Sequence, residues 1–117
     1  MIKFIQCIKR RPDLSVESFR SRWIEYQEEA RRVAGQLGAA RVDFSTTLVV
    51  RENMQIVFTR GTKPPYDGIV EVVWPEATDI RALFSDENLA GKAEKLRAMQ
   101  VEFIDLESSA FFFAIGE

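Results

Sequence analysis

Gln6 and Glu71 are polar residues set inside otherwise apolar segments, and these are the first positions at which the chain could do chemistry. Gln6 shares its parity with Ile2, Phe4 and Ile8, and Glu71 shares its parity with Ile69 and Val73. In an extended chain, residues of one parity line one face. If the two segments are neighbouring strands, Gln6 and Glu71 can meet on a single face. Burying a carboxylate is costly unless it is paired or hydrogen-bonded. Glu71 is therefore read either as a catalytic proton acceptor in a pocket, with Gln6 as a binding residue, or as a structural hydrogen-bonding group at a sheet or seam. The chain has no histidine, which removes the commonest general base, metal ligand and axial haem ligand. Its carboxylates form no clustered metal-ligand pattern and its glycines no phosphate-binding loop, so neither metal nor cofactor is expected.

A second group of candidates lies on a helical stripe. Val16, Phe19, Trp23, Tyr26, Ala30, Val33 and Leu37 recur at spacings of three and four, which predicts one amphipathic helix ending near Gly38, roughly 33 Å long. Ser15 suits its N-cap and Glu17 its first turn. Trp23, Tyr26 and Gln27 on or beside this stripe are candidate binding residues between helix and sheet; the alternative is core and rim. Tyr66 and Asp67 follow Pro64-Pro65 at the mouth of a strand, where they are either binding residues under a lid-like loop or plain turn chemistry. Cys7 has no histidine to activate it and is expected to be inert. Asp105 is expected to anchor the segment entering the last strand.

These positions imply a definite order of elements. Strands are predicted over residues 2–9, 40–51, 69–74 and about 108–115, and short helices near 79–84 and over 87–100. Residues 52–68 form a long connection in which Met54 to Phe58 fit a helix or a strand equally well. Strand, helix, strand, strand, helices, strand with right-handed crossovers gives an α+β, ferredoxin-like antiparallel sheet of four strands. Its helices lie on one face, and the first and third strands are central. The run Ala110-Phe111-Phe112-Phe113-Ala114-Ile115 is apolar on both parities, so the sheet face without helices also needs a cover. Each large apolar side chain left wet there forgoes roughly 1.5–3 kcal/mol. A homodimer through the sheet face is the natural solution.

Composition narrows the partners. The 117 residues suit one domain over 1–117, with 46% hydrophobic and 29% charged residues and a net charge of −2. No basic field is present to attract phosphates, and Asp67 to Trp74 lack the basic and aromatic pattern of an RNA-reading strand, which argues against nucleic acid. No stretch approaches membrane-spanning length, and Met1 to Lys9 lack a signal peptide's apolar run. The single cysteine fits a reducing cytoplasm.

The chain resembles the EthD family of dimeric α+β barrel proteins. The resemblance rests on Lys9-Arg10-Arg11-Pro12 after the first strand, Leu14-Ser15-Val16-Glu17 leading to Phe19 and Trp23, Tyr66-Asp67-Gly68-Ile69-Val70-Glu71-Val72 running into Trp74, and Phe103-Ile104-Asp105. It implies two sheets facing each other as a barrel with the helices outside. Related barrels include cofactor-independent monooxygenases, lactone isomerases and polyketide cyclases. It thus implies an enzyme acting on a small hydrophobic or aromatic compound, with a non-catalytic dimeric binding protein for a hydrophobic ligand as the alternative. Family members usually carry Trp-x-x-x-His-x-Pro in the first helix; here Gln27 and Glu29 stand where His and Pro would follow Trp23. Gln27 hydrogen-bonds but does not titrate, so histidine-dependent activity is not expected.

Overall fold

The computed structural model describes residues 1–75, 80–85 and 87–117, with the side chains of residues 84, 85 and 87–89 left aside. Four strands, β1 (Ile2–Ile8), β2 (Arg41–Thr46), β3 (Gly68–Trp74) and β4 (Ala110–Ile115), form one antiparallel sheet in the order β2-β3-β1-β4. The first and third strands are central, as the sequence predicts. Helices α1 (Val16–Gln36), α2 (Arg51–Arg60), α3 (Ile80–Ser85) and α4 (Glu87–Phe103) complete the chain. Of the helix expected near 79–84, Asp79 lies outside the described residues.

Helix α1 begins where Ser15 Oγ accepts a hydrogen bond from the Ser18 amide, 3.0 Å away. It stops before Gly38, whose φ of 76° is open to glycine at no steric cost. The stripe from Phe19 to Val33 is buried. It packs with Phe103 and Ile104 onto Ile8, Val70, Val72 and Trp74, making one core between the helices and one face of the sheet. Glu29 ties the helix layer together by pairing with Arg32 on α1 and with Lys95 on α4.

Strand β2 is shorter than the 40–51 expected, and the prolines explain why. Thr46 pairs with Gly68 and the Thr47 amide still reaches the Asp67 carbonyl, but the partner chain then runs back into Pro65 and Pro64, which have no N–H to continue a ladder. Leu48 and Val50, placed on a core face by alternation, are instead exposed. The ambiguous stretch from Met54 to Phe58 is helical and ends at Gly61 in the left-handed conformation, with its amide on the Val57 carbonyl. Helix α2 buries none of its residues, and Phe58 is 81% exposed. This projecting arm fits a radius of gyration of 15.3 Å, against about 13–14 Å for a compact chain of this length.

At Gly68 the backbone lies directly under the Trp23 ring. A Cβ built there would sit 2.8 Å from Trp23 Cζ2. Gly68→Ala is therefore expected to lose about 1–3 kcal/mol of stability, read as a lower urea midpoint. An unchanged midpoint would mean that the ring moves aside without cost.

Candidate functional site

Register decides which polar residues meet. Gln6 stands opposite Val70 and Phe111, and Glu71 opposite Ile5 and Asp43. Directly opposed residues share a face, so Gln6 faces the helices and Glu71 the open side of the sheet. The expected meeting of Gln6 and Glu71 on one face does not occur: they are offset by one register position, and one position reverses the face.

Between the helix layer and the sheet lies a cavity of about 240 Å³. That exceeds the roughly 150 Å³ that holds benzene and falls below the ~300 Å³ at which drug-sized sites begin. Phe4, Phe111, Phe113 and Trp74 wall it on the sheet side, and Ala34 and Leu96 on the helix side. The alternation of β4 explains the aromatic wall. Phe111 and Phe113 point to the helices, with Phe113 4.8 Å from Phe4 between ring centroids, while Phe112 takes the open face. The small side chains of Ala30 and Ala34 leave the space that a larger residue would fill.

Two glutamines interrupt this apolar lining. Gln6 and Gln100 both border the cavity, with Tyr26 fully buried behind them. The Tyr26 hydroxyl donates to Gln6 Oε1 at 2.7 Å and accepts from Gln100 Nε2 at 2.9 Å. Desolvation pushes the phenol up to about 12, outweighing the opposing pull of its hydrogen bonds to Gln100 and Gln6. The relay is thus uncharged across the physiological range. It can polarise or orient a bound group, but it holds no base that takes a proton near neutral pH.

The other predicted residues lie elsewhere. Trp23 is buried against Phe19, Tyr26 and Phe44, and its Nε1 donates to Thr46 Oγ1 at 2.9 Å. Trp23 and Gln27 border a shallow groove beside Thr46 and Leu48, away from the aromatic cavity. Asp67 accepts from the Arg10 amide at 2.7 Å and lies 3.9 Å from Lys9 Nζ, and its own amide bonds to the Ile8 carbonyl. Tyr66 is partly exposed and its carbonyl accepts from Thr47 Oγ1. Both line a surface recess between the arm and Pro64-Pro65. Glu71 Oε1 lies 3.7 Å from Lys3 Nζ on the open face. Cys7 shares that face with Ile69 and Ala110, and burial pushes its thiol up, away from the reactive thiolate. Asp105 meets the expectation of an anchor, its amide bonded to the Lys9 carbonyl and its carbonyl accepting from Ser109 Oγ.

Gln100 is the site residue that sequence reasoning missed. Its signal was the one that singled out Gln6: a polar residue in an apolar row, here Ala93, Leu96, Gln100 and Phe103 at spacings of three and four. A larger depression of about 440 Å³ near Pro12 and Leu106 lies at the surface, where Arg11 and Asp13 are already paired with each other.

Comparison with known proteins places this geometry in a wider group. The EthD domain model matches residues 11–107. No curated protein matches the chain. Among solved structures, a dimeric protein of unknown function and ferredoxin-like fold from Bacteroides fragilis superposes with a TM-score of 0.63. Its identity is 11%, over 98% of this chain and 95% of that one. A protein from Arabidopsis thaliana gives 0.62 at 8% identity, over 100% and 96% of the two chains. A dimeric ferredoxin-like protein of unknown function from Thermobifida fusca gives 0.51 at 12% identity, over 98% and 90%. At such identities the likeness is one of fold.

Proposed function

The chain belongs to the EthD domain family, and from that premise we propose that it works as a homodimer whose subunits each bind a small, largely apolar molecule in the helix–sheet cavity. The observation that carries this reading is a ring-sized aromatic cavity with a hydrogen-bonding relay, Gln6–Tyr26–Gln100, at its edge. Apolar walls with a few convergent polar groups are the usual make-up of a small-molecule site. The homodimer is supported by the open sheet face, where Phe112 is 45% exposed beside Ile5, and by the dimeric state of the Bacteroides and Thermobifida proteins. Covering that face with a second sheet would complete the α+β barrel and bury what one chain leaves wet. Trp23, Gln27, Tyr66 and Asp67 then serve as supports and rims of the fold in this reading, and Gln6 and Tyr26 as binding residues.

Binding without turnover is favoured over catalysis because the relay is neutral and Glu71 lies on the other side of the sheet. The test uses indole as a probe with the parent chain and Ala34→Leu, which fills the cavity. Indole is expected to raise the melting temperature of the parent, by an amount equivalent to about 2.7 kcal/mol at one hundred times its Kd, and to leave the variant unmoved. Equal shifts in both proteins, or none in either, would overturn the cavity reading. An oxidised or rearranged indole recovered after incubation, formed by the parent and not by Glu71→Gln, would replace binding with cofactor-independent catalysis at Glu71.

A further inference from the structure

We infer that the cavity selects an uncharged ligand carrying one hydrogen-bond donor and one acceptor, and discriminates against ions of the same size. This rests on the cavity being the binding site and adds the chemistry of what enters it. The phenol of Tyr26 has a single proton, donated to Gln6 Oε1, and its oxygen accepts from Gln100 Nε2. Each glutamine amide is a donor at one end and an acceptor at the other. With the carbonyl end of Gln6 and the amino end of Gln100 engaged by the phenol, the opposite ends remain: an N–H donor on Gln6 and a C=O acceptor on Gln100. Among the described residues no hydrogen bond to either of these ends is found.

The conclusion does not depend on which way the amides are turned. Amide orientation follows from the hydrogen-bond network, and turning both amides with the phenol proton gives the mirror arrangement. Gln6 then donates to Tyr26 and presents its carbonyl, while Gln100 accepts and presents its amino group. One phenolic proton cannot serve two carbonyl ends, and two amino ends would leave that proton buried without an acceptor, so keeping both bonds with the proton paired leaves one donor and one acceptor. Two donors together, the arrangement suited to a carboxylate, would cost the relay one of its bonds.

Charge points the same way. Among the described residues that line the cavity none is ionisable, and Tyr26 behind them stays neutral. A carboxylate or ammonium entering this space gives up its hydration and meets no counter-charge. A neutral amide, lactam or hydroxy-carbonyl on a single ring loses less hydration, and the leftover pair replaces its hydrogen bonds.

Three probes of similar size separate the possibilities: benzamide, benzoate and toluene, each titrated calorimetrically against the intact protein at pH 7.5. Benzamide is expected to bind at least tenfold more tightly than benzoate. Gln6→Leu, with Gln100→Met as a second variant on another element, is expected to lower benzamide affinity to about that of toluene while toluene affinity is kept. Toluene binding with benzamide no tighter than benzoate would overturn the inference and leave the cavity reading standing. Binding of none of the three would overturn both. Benzamide preference that persists in both folded variants would assign the selectivity to groups other than the relay and overturn the inference as well.

Discussion

Trp23→Ala is expected to unfold about 3–5 kcal/mol more easily than the parent chain, the range for removing a buried large aromatic. Trp23 is where α1, β2 and β3 are joined. Its ring stacks between Phe19 and Tyr26, with centroids 6.1 Å away on each side, and meets Phe44 edge-on at 5.9 Å. The indole N–H is also spent, on Thr46 Oγ1. Truncation leaves a void bordered by the bare backbone of Gly68, which has no side chain to move in. Urea unfolding at fixed protein concentration should show a lower midpoint with the slope unchanged. A loss below about 1 kcal/mol would mean that the ring stack relaxes around the gap, and that the joint is softer than its packing suggests.

Tyr26→Phe is expected to act in two pH regimes. Near neutrality it deprives Gln6 and Gln100 of their shared partner, at a cost of about 1–3 kcal/mol. In alkali the order changes. The native phenol is pushed up to about 12 from an ordinary 10, so between those values the unfolded chain has released this proton and the native chain has kept it. Stability from this group is therefore complete below pH 10 and is lost as pH rises through about 12, by roughly 2–3 kcal/mol in all. Phenylalanine has no proton to lose, and the variant should lack this alkaline decline. Denaturant midpoints between pH 8 and 12 compare the two chains directly. Parallel curves would show that Tyr26 ionises in the folded state as easily as in the unfolded one.

The sheet was legible in the sequence because strand parity and crossover handedness leave few arrangements. The positions of Ile2–Ile8, Ala110–Ile115 and the third strand carried that information in their own composition. Register did not follow in the same way. Placing Gln6 and Glu71 on one face required the offset between β1 and β3, which depends on how the chain returns through Pro64-Pro65 and the arm. The extent of β2 is not set by alternation for a related reason: alternation from Val42 to Val50 runs past the point where the partner strand can still donate. Part of the candidate site is legible, since Gln6 interrupts an apolar strand parity and Tyr26 lies on the helical stripe. Their partner Gln100 could not be paired with them, because it comes from a helix whose rotation about its axis is fixed by tertiary contacts such as Phe103 against Phe19 and Tyr26 and Lys95 against Glu29.

The two tryptophans are divided between two regions of the fold. Trp74 forms part of the cavity wall and donates its indole N–H to the Leu37 carbonyl at 3.1 Å, whereas Trp23 is sealed into the core beside Thr46. They are the only tryptophans in the chain. The molecule thus carries two optical labels with different neighbours. Emission from Trp74 is expected to respond to the surroundings of the cavity wall, and emission from Trp23 to the integrity of the joint between helix and sheet. With the other indole replaced by phenylalanine, each can be followed alone, with no dye attached.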